Sequence, residues 1–117
     1  MSGLRILLVS RDLMVGSRLA GLARAAGATC EQRHAAGATA DGFDVVILDL
    51  QGLPAVAAAI QGLRAAGPEA ATPKLVAFGP HVATGLLEEA RAAGADAVVS
   101  RGEILGSFAA VLDRVRG

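Results

Sequence analysis

The chain opens on a short apolar run, residues 4–9 (Leu-Arg-Ile-Leu-Leu-Val), which stops at the polar Ser10, Arg11 and Asp12. A run this short, without polar alternation, predicts a strand buried on both faces. Asp12 stands where a helix N-cap belongs, and Val15, Leu19, Leu22 and Ala26 follow at spacings of four, three and four, one helical stripe that Gly27 ends. The pattern then alternates: residues 28–33 predict a weak second strand, 44–50 a strong third, 74–78 a fourth and 97–100 a fifth. Amphipathic segments lie between them. Pro54 suits the first turn of a helix carrying Val56, Ile60 and Leu63; Leu86, Ala90 and Ala93 mark another, and Ile104, Phe108, Val111 and Val115 the last.

Three helices are predicted to end on the same four letters, Arg-Ala-Ala-Gly, at 24–27, 64–67 and 91–94. The unequal intervals exclude a solenoid repeat. Arginine complements the helix C-terminal dipole, alanine permits close approach to a sheet, and glycine takes the left-handed conformation that stops the helix. Strand and helix in strict alternation with short joints predict right-handed crossovers and a parallel sheet with helices on both faces. Function in such a sheet sits at the C-terminal edge of the strands.

Composition narrows the classes. A length of 117 residues, 53% hydrophobic and 19% charged, predicts one domain over residues 1–117. Eleven basic residues balance eleven acidic ones, so no long-range field favours nucleic acid or an anionic membrane. Cys30, the single cysteine, excludes an internal disulfide and a Cys-rich metal site and reads as a small strand hydrophobe. The apolar segment 6–9 is too short for a signal-peptide core, and no apolar run reaches the ~18 residues of a membrane span, so a cytoplasmic location is expected.

The strand ends gather Ser10, Arg11 and Asp12; Asp49, Leu50 and Gln51; Phe78, Gly79, Pro80 and His81; and Ser100, Arg101 and Gly102. Asp49 is the most telling, a carboxylate closing the most hydrophobic strand. Two readings stand open from strand context: a cap for the following turn, or a reactive or liganding carboxylate. His81, in a Gly-Pro turn, reads as a solvated loop residue before it reads as a ligand or base.

Residues 6–9 (Ile-Leu-Leu-Val), 44–50 and 94–99 (Gly-Ala-Asp-Ala-Val-Val) resemble the receiver domains of bacterial response regulators, over nearly the whole chain. The resemblance implies a flavodoxin-like, doubly wound five-stranded parallel sheet. It also implies a phospho-accepting Asp after strand three, two acidic residues after strand one, a Thr or Ser after strand four and a Lys after strand five. Asp49 matches the phospho-acceptor. The acidic pair falls on Ser10 and Arg11, the Thr/Ser position on Phe78 and the Lys-Pro pair on Arg101 and Gly102, so four of the five functional positions are altered. Residues 34–43, with three of them Gly37, Thr39 and Gly42, suggest that the family's second helix is shortened or absent.

Phosphoryl transfer to a carboxylate uses Mg²⁺ to neutralise the phosphate oxygens, and Mg²⁺ requires hard carboxylate oxygens. Serine and arginine do not supply them. Asp12 is the one acid left, and its N-cap role accounts for it without a metal. Arg11 is expected to replace the ion by pairing with Asp49, with Arg101 as a second candidate, and a buried Phe78 ring is expected to lock one arrangement. The reading is a degenerate receiver: not an enzyme, without cofactor or metal, acting as a phosphorylation-independent protein-interaction module in signal transduction. Its degenerate pocket comprises Ser10, Arg11, Asp12, Gln51, Phe78, Gly79 and Arg101 around Asp49. Its partner is a protein in a signalling or regulatory assembly, with a homodimer as one form, and its partner surface is placed on Ile104, Phe108, Val111 and Val115. The alternatives are a receiver still phosphorylated at Asp49 by an unusual route, and a small anion binder built on Arg11, Arg101, Ser10 and the Gly79 turn.

Overall fold

A computed structural model describes residues 3–33, 42–51, 53, 55–64 and 73–116. Five strands, β1 (Arg5–Val9), β2 (Thr29–Arg33), β3 (Val45–Asp49), β4 (Lys74–Gly79) and β5 (Ala97–Ser100), form one parallel sheet in the order β2-β1-β3-β4-β5. The three apolar runs occupy the centre. All five residues of β3 are buried, as are all but the first of β1 and β4. The polar β2, Thr-Cys-Glu-Gln-Arg, takes one edge with its side chains half-buried or exposed, a composition that discourages further strand pairing.

Among the described residues five helices cover the two faces: α1 (Leu13–Ala25), α2 (Val56–Arg64), α3 (Thr84–Ala92), α4 (Arg101–Gly106) and α5 (Phe108–Arg116). Strand residues alternate between two apolar layers. Ile6, Leu8, Val45, Ile47, Val76 and Phe78 pack with α1, α4 and α5, while Leu7, Val9, Val46, Leu48, Leu75 and Ala77 pack with α2 and α3. This is the doubly wound architecture the alternation predicts. The expectation of a shortened or absent helix between β2 and β3 falls mainly on residues 34–41, outside the described residues, as do Pro54 and the second Arg-Ala-Ala-Gly ending beyond Arg64. The other two endings behave as predicted. Gly27 and Gly94 have φ of 78° and 104°, with Arg24 and Arg91 in the last helical turns.

Two expectations are corrected. The buried stripe of α1 is Val15, Gly16, Leu19 and Ala23, with Leu22 half-buried and Ala26 an exposed C-cap, because the helix closes one residue before Ala26. The last helix is two, broken at Ser107 (φ −135°, ψ 39°), where the low-propensity pair Gly106-Ser107 ends α4. The break does not turn the stripe outward. Ile104, Phe108, Val111 and Val115 are all buried against the sheet, so the partner surface placed on them is corrected to core.

Candidate functional site

Strand parity decides which side chains meet at the C-terminal edge. Ser10 continues the side of Ile6 and Leu8, and Asp49 the side of Val45 and Ile47, so both face the α1 layer; Asp49 stands in register with Phe78 on β4. Ser10 and Asp49 are the only buried polar side chains among the described residues, at 4% and 8% exposure. The Ser10 hydroxyl donates to Asp49 Oδ2 at 2.7 Å, and the Gln51 amide donates to Asp49 Oδ1 at 3.0 Å. Asp49 therefore caps the turn after β3, the first of the two readings its strand context left open.

Arg11, one residue on, falls on the opposite parity. Its side chain is exposed and makes no ion pair among the described residues, so the expected Arg11–Asp49 pair is corrected to Ser10–Asp49. Arg101, the second candidate, pairs with Asp12 instead: Nη2 lies 2.5 Å from Asp12 Oδ2, and Nη1 donates to Gln51 Oε1 at 3.3 Å. Ser100, the last residue of β5, caps α4 by accepting from the Glu103 amide, which places Arg101 at the helix start with its side chain reaching back over the sheet edge.

Asp12 is the N-cap the sequence predicts. Its Oδ1 accepts from the Met14 and Val15 amides at 3.0 and 3.1 Å. The Val15 amide foremost, with the Arg101 guanidinium and the Met14 amide adding to it, holds the Asp12 carboxyl below the usual carboxylate range, against an opposing effect of desolvation. The Asp12 amide donates to Ser10 Oγ at 3.0 Å. These contacts close a ring running from Asp49 to Ser10, Asp12, Arg101, Gln51 and back to Asp49, which ties together the segments after β1 and β3 and the start of α4.

Gln32, on the edge strand, belongs to this assembly and was not singled out from the sequence. Its Nε2 donates to the carbonyls of Ser10 (2.9 Å) and Asp12 (3.2 Å), and the amide lies over Gly16, where a Cβ would come within 1.9 Å of Gln32 Oε1. The available signal was a pair: an amide residue next to the end of an edge strand and a glycine on the buried stripe of the helix beside it. Phe78 is 1% exposed and fills the α1 layer beside Asp49. Gly79 is buried near Leu50 and Leu87, and His81 lies in an exposed turn. With Arg101 and Ser10 engaged internally and Arg11 turned outward, the proposed anion cradle is not assembled. Burial foremost, and then Glu31, push the Cys30 thiol up. Among the described residues no three His, Cys, Asp or Glu side chains are grouped to hold a metal ion, and no helix is long and apolar enough to cross a membrane.

No protein-family model and no curated protein sequence matches the chain. Solved structures do. The chemotaxis response regulator CheY4 of Vibrio cholerae superposes with a TM-score of 0.76 at 18% identity, over 97% of this chain and 99% of that one. The chain carries the receiver-domain fold. A receiver domain of a sensor histidine kinase from Pseudomonas aeruginosa, with a magnesium ion coordinated in its active-site cleft, matches this fold with a TM-score of 0.74 at 20% identity, over 97% and 98% of the two chains. A putative pilus assembly protein from Burkholderia thailandensis shares it at 22% identity and the same TM-score and coverages. In this fold Asp49 is the last residue of β3, and Phe78, one residue before the end of β4, stands in register beside it.

Proposed function

We propose that this chain is a degenerate receiver, a single domain that works as a phosphorylation-independent protein-interaction module in a signalling or regulatory assembly. The observation that carries the reading is the closed ring through Asp49, Ser10, Asp12, Arg101 and Gln51. In a receiver that accepts phosphate, the carboxylate must present an oxygen to the phosphorus while a divalent ion neutralises the phosphate. Here both Asp49 oxygens are hydrogen-bonded within the chain, Asp12 is paired with Arg101, and a buried ring occupies the position beside Asp49. The Arg101 guanidinium supplies the positive charge that joins the start of α4 to Asp12 and Gln51.

The test is a ¹H–¹⁵N correlation spectrum of the chain recorded with acetyl phosphate, and again with beryllofluoride, each with Mg²⁺. The amides of Ser10, Asp12, Asp49 and Gln51 are expected to stay in place. Mg²⁺-dependent shifts centred on Asp49 would establish the rival reading, a receiver still phosphorylated by an unusual route.

A further inference from the structure

Among the described residues, the edge strand β2 carries main-chain groups that the sheet does not use. The Thr29 amide donates to the Leu4 carbonyl at 3.0 Å, and the Arg33 carbonyl accepts from the Ser10 amide at 3.1 Å, so Thr29, Glu31 and Arg33 turn their main-chain groups toward β1. By the same alternation Cys30 and Gln32 turn theirs outward, and among the described residues β2 pairs with no strand but β1. The Gln32 side chain is engaged on the α1 side, with the carbonyls of Ser10 and Asp12, which leaves its main chain to the edge. Glu31 and Arg33, the register partners of Leu7 and Val9, lie on the α2 and α3 side of the sheet. Their half-exposed side chains stand two residues apart and carry opposite charges.

We propose that two copies of this chain pair antiparallel along β2, in the register that sets Gln32 against Gln32 of the second copy. In that register the outward amide and carbonyl of Gln32 exchange both hydrogen bonds with their counterparts. Glu31 of each copy then stands across from Arg33 of the other as a non-hydrogen-bonded pair, the closer kind, with Cα atoms about 4.5 Å apart. Sliding one strand by two residues, to centre the pair on Glu31, would set the two glutamates opposite each other. The charges that discourage a chance strand at this edge thus admit a strand carrying them in reverse order, and an antiparallel copy of β2 is such a strand. A twofold arrangement covers both edges and closes, so the assembly stops at two copies on this side of the sheet. The proposal names a second copy as the partner in the protein-interaction reading above and rests on that reading, though not on its independence of phosphate.

The test is sedimentation of the full chain over roughly 10 μM to 1 mM, the range in which so small an interface dissociates. Monomer is expected at the low end, and monomer with dimer but nothing larger at the high end. Glu31→Arg and Arg33→Glu are each expected to weaken the dimer by about tenfold or more, because each substitution acts in both symmetric pairs. Mixing the two variants is expected to restore it, since each then meets the opposite charge on the other. The Arg5–Glu31 and Arg33–Glu31 pairs within one copy cannot produce that rescue, because mixing leaves them unrepaired. A second measurement needs no variant: amide exchange at Gln32 is expected to slow as the parent is concentrated, while that of Thr29, already bonded to Leu4, stays constant. The proposal is overturned by a chain that stays monomeric at the highest concentration, by species larger than a dimer, or by concentration-dependent protection that leaves Gln32 untouched. It is equally overturned if the single variants dimerise as the parent does or if their mixture dimerises no better than either alone. A monomeric chain still insensitive to acetyl phosphate would lose this interface and keep the degenerate-receiver reading, whereas a dimer with Mg²⁺-dependent shifts at Asp49 would keep the interface and lose the phosphorylation independence.

Discussion

Asp49 is held by two donors of its own chain, and one of them can be removed without touching the backbone. Ser10→Ala leaves the buried Oδ2 without that donor, and an unsatisfied buried acceptor costs about 1–3 kcal/mol. Arg11→Ala removes an exposed side chain with no acidic partner among the described residues, for which about 0.5 kcal/mol or less is expected. Urea denaturation of the two variants checks the order, and a larger loss for Arg11→Ala would return Asp49 to the arginine. The contrast shows what was legible at this scale. Asp49, Ser10 and Phe78 could be placed at one edge from strand ends alone, but a choice between adjacent Ser10 and Arg11 required the parity of β1. Charge attraction favours the arginine; the alternation of the strand puts the hydroxyl over the carboxylate. Gln32 was harder to read for a related reason: its role is to bond two carbonyls of a segment far from it in sequence, and carbonyl positions leave no mark in residue type, so only the facing Gly16 pointed to it.

At the scale of elements, α1 is held at its start by contacts from both sides, Gln32 on β2 and Arg101 at the head of α4. Gly16→Ala tests the first. Alanine is the better helix former by up to about 1 kcal/mol, yet its Cβ displaces the Gln32 amide and breaks two hydrogen bonds of about 0.5–1.5 kcal/mol each. A net loss near 1 kcal/mol is expected, with faster amide exchange at residues 10–12. In the double variant Gly16→Ala, Gln32→Ala the losses should be sub-additive, since the clash is gone. A Gly16→Ala variant more stable than the parent contradicts this account. The Asp12 cap, made foremost by the Val15 amide with Arg101 adding to it, carries a pH dependence. The Asp12 carboxyl titrates lower folded than unfolded, so its contribution is present above the ordinary Asp value of about 3.9 and is lost as pH falls through the lower folded value. The stability gap between the parent and Asp12→Asn should therefore narrow on acidification from about pH 5 downward, and a widening gap would reverse the assignment. Helix ends were readable where one residue enforces them, as at Asp12, Gly27 and Gly94. The break at Ser107 was not, because the apolar spacing of 104, 108, 111 and 115 runs through it unaltered and periodicity reports the buried face, not helix continuity.

At the scale of the molecule, the sheet separates two apolar layers among the described residues, and the three central strands were recognisable because each is apolar on both faces. Phe78 joins this architecture to the site. It is the largest fully buried side chain among the described residues, it lies in the α1, α4 and α5 layer, and its β4 position is the register partner of Asp49. A ring at that place makes the ring of polar contacts and the core one packed unit, since moving Phe78 aside would require space the α1 layer does not leave. Phe78→Ala should accordingly cost about 3–5 kcal/mol, a large share of the ~5–15 kcal/mol that stabilises a domain, whereas Phe78→Leu, which keeps most of the volume, should cost well under half of that. Phe78→Thr with Ser10→Asp and Arg11→Asp gives the sharper comparison: it supplies acids at both altered positions and a hydroxyl beside Asp49. Calorimetry is expected to show Mg²⁺ binding in that variant and none in Phe78→Thr alone, because only the acids at positions 10 and 11 provide the additional hard oxygens. Mg²⁺ binding by Phe78→Thr alone would mean that packing, and not the loss of the acidic pair, had closed the site.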